Sequence, residues 1–179
     1  GKIDILVNNA GISGMQTPFL DIDEDYYDRM MDVNVKAAFF LSQMVVPGMR
    51  DQHWGRIVNV SSMFSMKGSP DAPHYTAAKS GLLGLTKALA RELGPWNITV
   101  NAIAPGWVDT QMAQDGMVQI AASIGVTRDA FYEMAMSQVP LRRMLAPEEI
   151  ADLVLFLASE RGRGITGACL DINGGSFMG

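Results

Sequence analysis

Apolar and polar positions along this chain switch between two periods. Ile3-Asp4-Ile5-Leu6-Val7 is a short, nearly continuous apolar run, which predicts a strand buried on both faces. A loop with Gly11, Gly14 and Pro18 follows. Met30, Val33, Ala37, Phe40, Leu41 and Met44 then recur at helical spacing, with Asp21 or Asp23 placed to cap the helix. It is expected to run to about Arg50, with Pro47 kinking or ending it. Arg56 to Val60 predicts a second strand, and Pro73 opens a helix that stops at Leu93-Gly94-Pro95. Ile98 to Ile103 predicts a third strand. Residues 111–139 hold Gly116, Gly125 and several methionines with weak periodicity, and read as short mobile helices. Pro147 opens a helix through Leu157, and Ala168 to Ile172 forms a last strand. Strands alternating with helices imply βαβ crossovers and a parallel sheet, an α/β fold in a single domain over residues 1–179.

Composition narrows the function classes. A hydrophobic fraction of 48% with 18% charged residues in 179 positions fits a packed core. The longest apolar stretch, Ala37 to Val46, is broken by Ser42 and Gln43 and falls short of the ~18 residues of a membrane span. Gly1-Lys2-Ile3-Asp4 leads directly toward a strand and does not read as a secretory leader. A formal charge of −5 provides no basic field for nucleic acid or an anionic membrane. The single Cys169 excludes an intrachain disulfide, fits a cytoplasmic location, and is expected as a buried small hydrophobe. No His, Cys, Asp or Glu cluster has metal-ligand spacing, so no catalytic metal is expected.

The candidate chemistry starts at Tyr75 and Lys79. Four residues apart near the start of a helix, they project from one face. A free tyrosine titrates near pH ~10, and an adjacent ammonium stabilises the phenolate and brings it toward the working range. Ser62 lies thirteen residues before Tyr75, at the carboxyl end of the second strand, where open α/β sheets place their ligands. Asn34 sits in the long helix, Asn8-Asn9-Ala10-Gly11 follows the first strand, and Ala104-Pro105-Gly106-Trp107-Val108-Asp109-Thr110 follows the third. Ser61 adjoins Ser62, but the thirteen-residue spacing favours Ser62. His74 is expected at a pocket edge or on the surface, and His53, in a polar turn, has no role. Asp109 either satisfies loop backbone or touches a cofactor.

Together with Asn173-Gly174-Gly175, these motifs occur in the order and spacing of the short-chain dehydrogenases/reductases, and the chain resembles that family along essentially its whole length, with 3-oxoacyl-reductase-like or alcohol-dehydrogenase-like character. The resemblance implies a Rossmann-like doubly wound parallel sheet, with about four of seven strands present. It implies hydride transfer between NAD or NADP and a secondary alcohol or ketone. Tyr75 would be the general acid/base, Ser62 would hydrogen-bond the reacting oxygen, and Lys79 would tune Tyr75 and bind the nicotinamide ribose. Asn34 would hold a water that links Lys79 to solvent. Asn9, Ala10 and Gly11 would lie along the cofactor, while Pro105, Gly106, Val108 and Thr110 would flank the nicotinamide. The segment 111–139 would close over the substrate as a lid, where Met112, Met117, Met134 and Met136, with Met63, Phe64, Trp107, Phe131 and Tyr132, favour a substrate with an apolar part.

The family's glycine-rich pyrophosphate turn is not found; Gly11 and Gly14 have the wrong spacing. The chain is therefore expected to be an amino-terminal truncation lacking about 80 residues, at roughly 30 residues per βαβ unit. The first strand present would then have an exposed edge. Asp23 to Arg50 and Pro73 to Leu93 are the helices through which the family forms dimers or tetramers. Two other readings are weighed: an inactive fragment serving only as an oligomerisation or binding module, and a sugar-nucleotide epimerase or dehydratase using the same tyrosine and lysine. The intact catalytic set argues against the first, and the short tail after Gly175 against the second.

Overall fold

A computed structural model describes residues 2–14 and 17–178; Gly1, included in the reading of the amino terminus above, lies outside them. The elements run β1 (Ile5–Asn8), α1 (Glu24–Met31), a π-helical segment (Asp32–Lys36), α2 (Ala37–Asp51), β2 (Gly55–Val60), α3 (Phe64–Lys67), α4 (Pro73–Leu93), β3 (Ile98–Pro105), α5 (Gln111–Ser123), α6 (Arg128–Ser137), α7 (Pro147–Ala158) and β4 (Cys169–Ile172). The strands form one parallel sheet in the order β1-β2-β3-β4, with Ile57 opposite Val100 and Ile103 opposite Leu170. This is the Rossmann-like α/β layering expected from the alternating pattern.

Both faces of the central strands are covered. Ile57, Ile98 and Val100 pack against Val45 and Met49 of α2 and Ala90 and Leu93 of α4. The alternate residues Val58 and Ile103 pack on the other face against Leu157 of α7. A third cluster, Met117, Met136, Val139 and Met144, forms separately beneath α5 and α6.

Several expectations are corrected. β1 is not buried on both faces: Ile5 and Val7 are 45% and 40% exposed, because among the described residues β1 pairs with β2 alone. Pro47 does not end its helix. The buried row Ala38, Ser42, Val45 and Met49 continues past it, and packing against the sheet outweighs the lost hydrogen bond. Asp23, not Asp21, caps α1, accepting from the Tyr26 N–H at 2.8 Å. The short helices expected over residues 111–139 are present as α5 and α6, capped by Thr110 and Thr127. Cys169 is half-buried and its thiol is pushed up by burial. Among the described residues no helix is long and apolar enough to cross a membrane.

A polar seam joins sheet to helices. Asn8 donates to Asn59 Oδ1 at 2.8 Å, and Asn59 donates to Thr86 Oγ1 of α4 at 2.9 Å. Asn59 is fully buried. Asn59→Leu strands Asn8 and Thr86 without these partners, and is expected to destabilise the fold by about 2–4 kcal/mol in urea unfolding.

Candidate functional site

At the carboxyl ends of the strands a cavity of about 460 Å³ opens. Asn9, Ala10 and Gly11 enter it from the loop after β1, and Ser61 and Ser62 from the end of β2. Pro105, Gly106, Val108 and Thr110 come from the segment after β3, and Tyr75 and Lys79 from the first two turns of α4. The buried row of α4 (His74, Ala78, Leu82, Thr86, Ala90) fixes the helix against the sheet. Tyr75 and Lys79 therefore project together, with the Lys79 Nζ 5.7 Å from the Tyr75 ring centroid. Gly106 is needed for a close approach: a Cβ there would lie 2.9 Å from the Asn173 Cα.

The two serines divide their work. Ser61 Oγ donates to the Lys79 carbonyl at 2.8 Å, which ties α4 to the sheet end. Ser62 Oγ accepts from the Phe64 N–H at 3.2 Å, and its hydroxyl neighbours the Tyr75 phenol. Burial pushes the Tyr75 phenol up from its ordinary value, and the Ser62 hydroxyl offsets part of that rise. The expected lowering of Tyr75 by Lys79 is not what dominates here. Lys79 is 4% exposed, donates to the Val60 carbonyl at 3.0 Å, and is itself pushed down to about 8 by burial.

Asn34 stands behind the cavity wall. It lies in the π-helical segment, a widened turn that recurs at functional sites. Its Nδ2 donates to the Ile12 and Met30 carbonyls, both at 3.1 Å. Its Oδ1 is buried with no hydrogen-bond partner among the described residues. A Cβ on Gly11 would lie 2.8 Å from that oxygen and 3.2 Å from the Lys79 Nζ. Glycine therefore keeps open the small space where an orphaned acceptor and a buried ammonium converge.

Other expectations are corrected by the packing. His74 is not on the surface and does not line this cavity: it is 2% exposed, tilted against Tyr26 at 4.8 Å, and its pKa is pushed down by burial. It stands at the edge of a second hollow with Phe19, Tyr27 and Pro73, in keeping with the pocket-edge expectation. Asp109 accepts from Gln114 Nε2 at 2.6 Å. Of the four methionines in the stretch, only Met112 lines the cavity; Met117 and Met136 are core, and Met134 is 53% exposed. Phe131 and Tyr132 pack on the Met117–Met144 cluster instead of the cavity. The cavity also takes in Ile12, Ser13, Ala113, Gly116 and Gln119, which the motif reading did not single out. The spacing of Met112, Gly116 and Gln119 on a helix was the available signal. Among the described residues no group of three or more His, Cys, Asp or Glu is arranged to hold a metal ion.

Comparison with known proteins agrees with this architecture. Residues 1–176 match the family model described as enoyl-(acyl carrier protein) reductase. The chain is 41% identical over 175 residues to the 3-oxoacyl-[acyl-carrier-protein] reductase FabG of Thermotoga maritima, covering 98% of this chain and 66% of that protein. It is 40% identical over 178 residues to an acetoacetyl-CoA reductase of Acinetobacter sp., covering 99% and 67%. It is 40% identical over 177 residues to a putative ketoacyl reductase of monensin polyketide synthesis from Streptomyces virginiae, covering 98% and 67%. The chain thus spans about two thirds of the length of these relatives.

Lys79 gives a pH test with a definite sign. Its folded pKa of about 8 lies below the ordinary 10.5, so the buried ammonium costs stability at neutral pH. At 1.36 kcal/mol per unit, that cost is about 3 kcal/mol, and it disappears as pH rises from about 8 through 10.5. Lys79→Met removes this dependence. The native protein should gain stability relative to that variant across this window, and denaturation midpoints that keep a constant difference would contradict the assignment.

Proposed function

The chain belongs to the short-chain dehydrogenase/reductase family, and we propose that it carries the catalytic groups of an NAD(P)-dependent oxidoreductase acting on a ketone and its secondary alcohol. The observation that supports this most is that Ser62, Tyr75 and Lys79 line one cavity, while the orphaned Asn34 oxygen approaches Lys79 from behind its wall at Gly11. The names of the relatives point to 3-oxoacyl compounds as the class of ketone.

The residues present fit a nicotinamide cofactor. Asn9, Ala10 and Gly11 on one wall and Pro105, Gly106, Val108 and Thr110 on another would hold it, with Tyr75 and Lys79 at the reacting end. A bound reduced nicotinamide supplies the hydride. The protein supplies orientation and the proton. Ser62, with one lone pair occupied by the Phe64 N–H, would turn its O–H from the Tyr75 oxygen to a substrate carbonyl oxygen. Tyr75, kept protonated by burial, would give its phenolic proton to the same oxygen. Lys79 stabilises the phenolate left behind, and a water held at Asn34 Oδ1 would return the proton through Lys79. Both side chains hold a proton at neutral pH, and the Tyr75 proton is the one a ketone reduction consumes.

Association of two or four copies through α1–α2 and α4 belongs to the same reading, supported by the exposed Phe39, Phe40, Leu41 and Met44. A cytoplasmic setting rests on the composition alone. An inert oligomerisation module is not favoured, since scaffolding supplies no reason to hold Ser62, Tyr75 and Lys79 around one cavity with the Asn34 oxygen behind its wall.

Tyr75→Phe removes only the proton that the mechanism needs. Oxidation of NADH or NADPH by an acetoacetyl ester should fall by about a thousandfold in kcat/KM, with an unchanged circular dichroism spectrum. Near-normal turnover in that variant would sink the mechanism.

A further inference from the structure

Glycine in the interior of a helix lowers its stability, so a mid-helix glycine calls for a local reason. Gly116 lies in the middle of α5. It has no left-handed backbone, and a Cβ placed on it would meet no described atom within 4 Å. Neither backbone geometry nor close packing among the described residues therefore requires glycine here. What Gly116 does face is the cavity that also contains Ser62, Tyr75 and Lys79.

The rest of α5 explains why this position matters. Met117, Ile120 and Ala121 are 0%, 8% and 2% exposed, and this buried face sets the position of the helix. Met112, Ala113, Gly116 and Gln119 line the cavity. Met63, Phe64 and Trp107 add apolar surface to the same space. Gly116 lies six residues beyond the helix cap Thr110, ~9 Å along the axis at 1.5 Å per residue. A ligand that occupies the cavity from the catalytic groups on one wall to Gly116 on another is thus partly apolar.

We propose that Gly116 is a specificity-determining residue: the space left by its missing side chain receives the apolar arm of a ketone whose carbonyl sits at Ser62 and Tyr75. The inference rests on the ketone reading given above and identifies the part of the substrate that the cavity selects. A side chain at 116 would occupy that space and discriminate against long or aryl-substituted ketones in favour of small ones.

The test uses butanone and benzylacetone, two methyl ketones that differ in their apolar arm, titrated against the protein by saturation-transfer NMR. The native protein should bind benzylacetone at least about tenfold more tightly than butanone, the scale on which hydrophobic pockets discriminate. Gly116→Leu should reduce that ratio about fivefold or more, and Gly116→Ala, which suits a helix better than glycine, should reduce it by a smaller step. An unchanged ratio in a folded Gly116→Ala and Gly116→Leu pair would overturn the proposal, as would equal or absent binding of the two ketones by the native protein. Binding requires no hydride transfer, so the two readings fail separately. Selective binding without reduction would reject the proposed reaction and leave the role of Gly116 standing.

Discussion

The arrangement depends on how Lys79 is held. Its carbonyl accepts from Ser61 and its ammonium donates to the Val60 carbonyl, so one residue of α4 is fastened twice to the end of β2. The fastening matters because an ammonium that is 4% exposed loses hydration, and such a group stays in place only where protein acceptors replace water. One turn earlier on the same helix is Tyr75, and the Ser62 that contacts it follows Ser61 in the chain. The backbone that satisfies Lys79 therefore also positions the pair that would contact a carbonyl oxygen.

The π-helical turn makes the second adjustment. A regular α-helix from Glu24 to Asp51 would place residue 34 differently relative to the loop after β1. The widened turn lets one Asn34 amide group donate both to Met30 in its own helix and to Ile12 in that loop. With its nitrogen committed to protein, its oxygen is left facing the narrow space that Gly11 keeps free beside Lys79. A buried acceptor without a partner is costly, and a bridging water is the least disruptive way to satisfy it.

Much of this was legible in the residues. Tyr75 and Lys79, four apart near the start of a helix, were legible as neighbours on one face of α4. Pro73 and Gly94-Pro95 mark its ends because their chemistry is local. The π turn was not legible, since Asp32-Val33-Asn34-Val35-Lys36 has an ordinary helical composition and its widening follows from tertiary bonds to Ile12. The burial of His74 was hidden for a similar reason: nothing in its neighbours along the chain reveals that Tyr26 and Gly14 close over it. The continuation of α2 through Pro47 and the exposure of β1 were likewise decided by neighbours distant in sequence. Residues 111–139 were legible as short helices, but their lengths and threonine caps were not, because they pack on a cluster of their own, where methionines tolerate irregular spacing.

That separate cluster has a physical consequence. The catalytic groups hang from β2 and α4, whose positions are set by the core around Ile57, Val100 and Leu93. The α5 wall is set by Met117, Met136, Val139 and Met144, and the Val108–Leu145 bridge runs alongside, with the Leu145 N–H donating to Trp107 and its carbonyl accepting from Asp109. Sites that share no packing partners respond to substitution nearly independently. A change of side chain on the exposed face of α5 thus alters the shape offered to a ligand with little leverage on the Ser62–Tyr75–Lys79 geometry. Two cores facing one cavity allow the chemistry to stay fixed while the fit to the substrate varies.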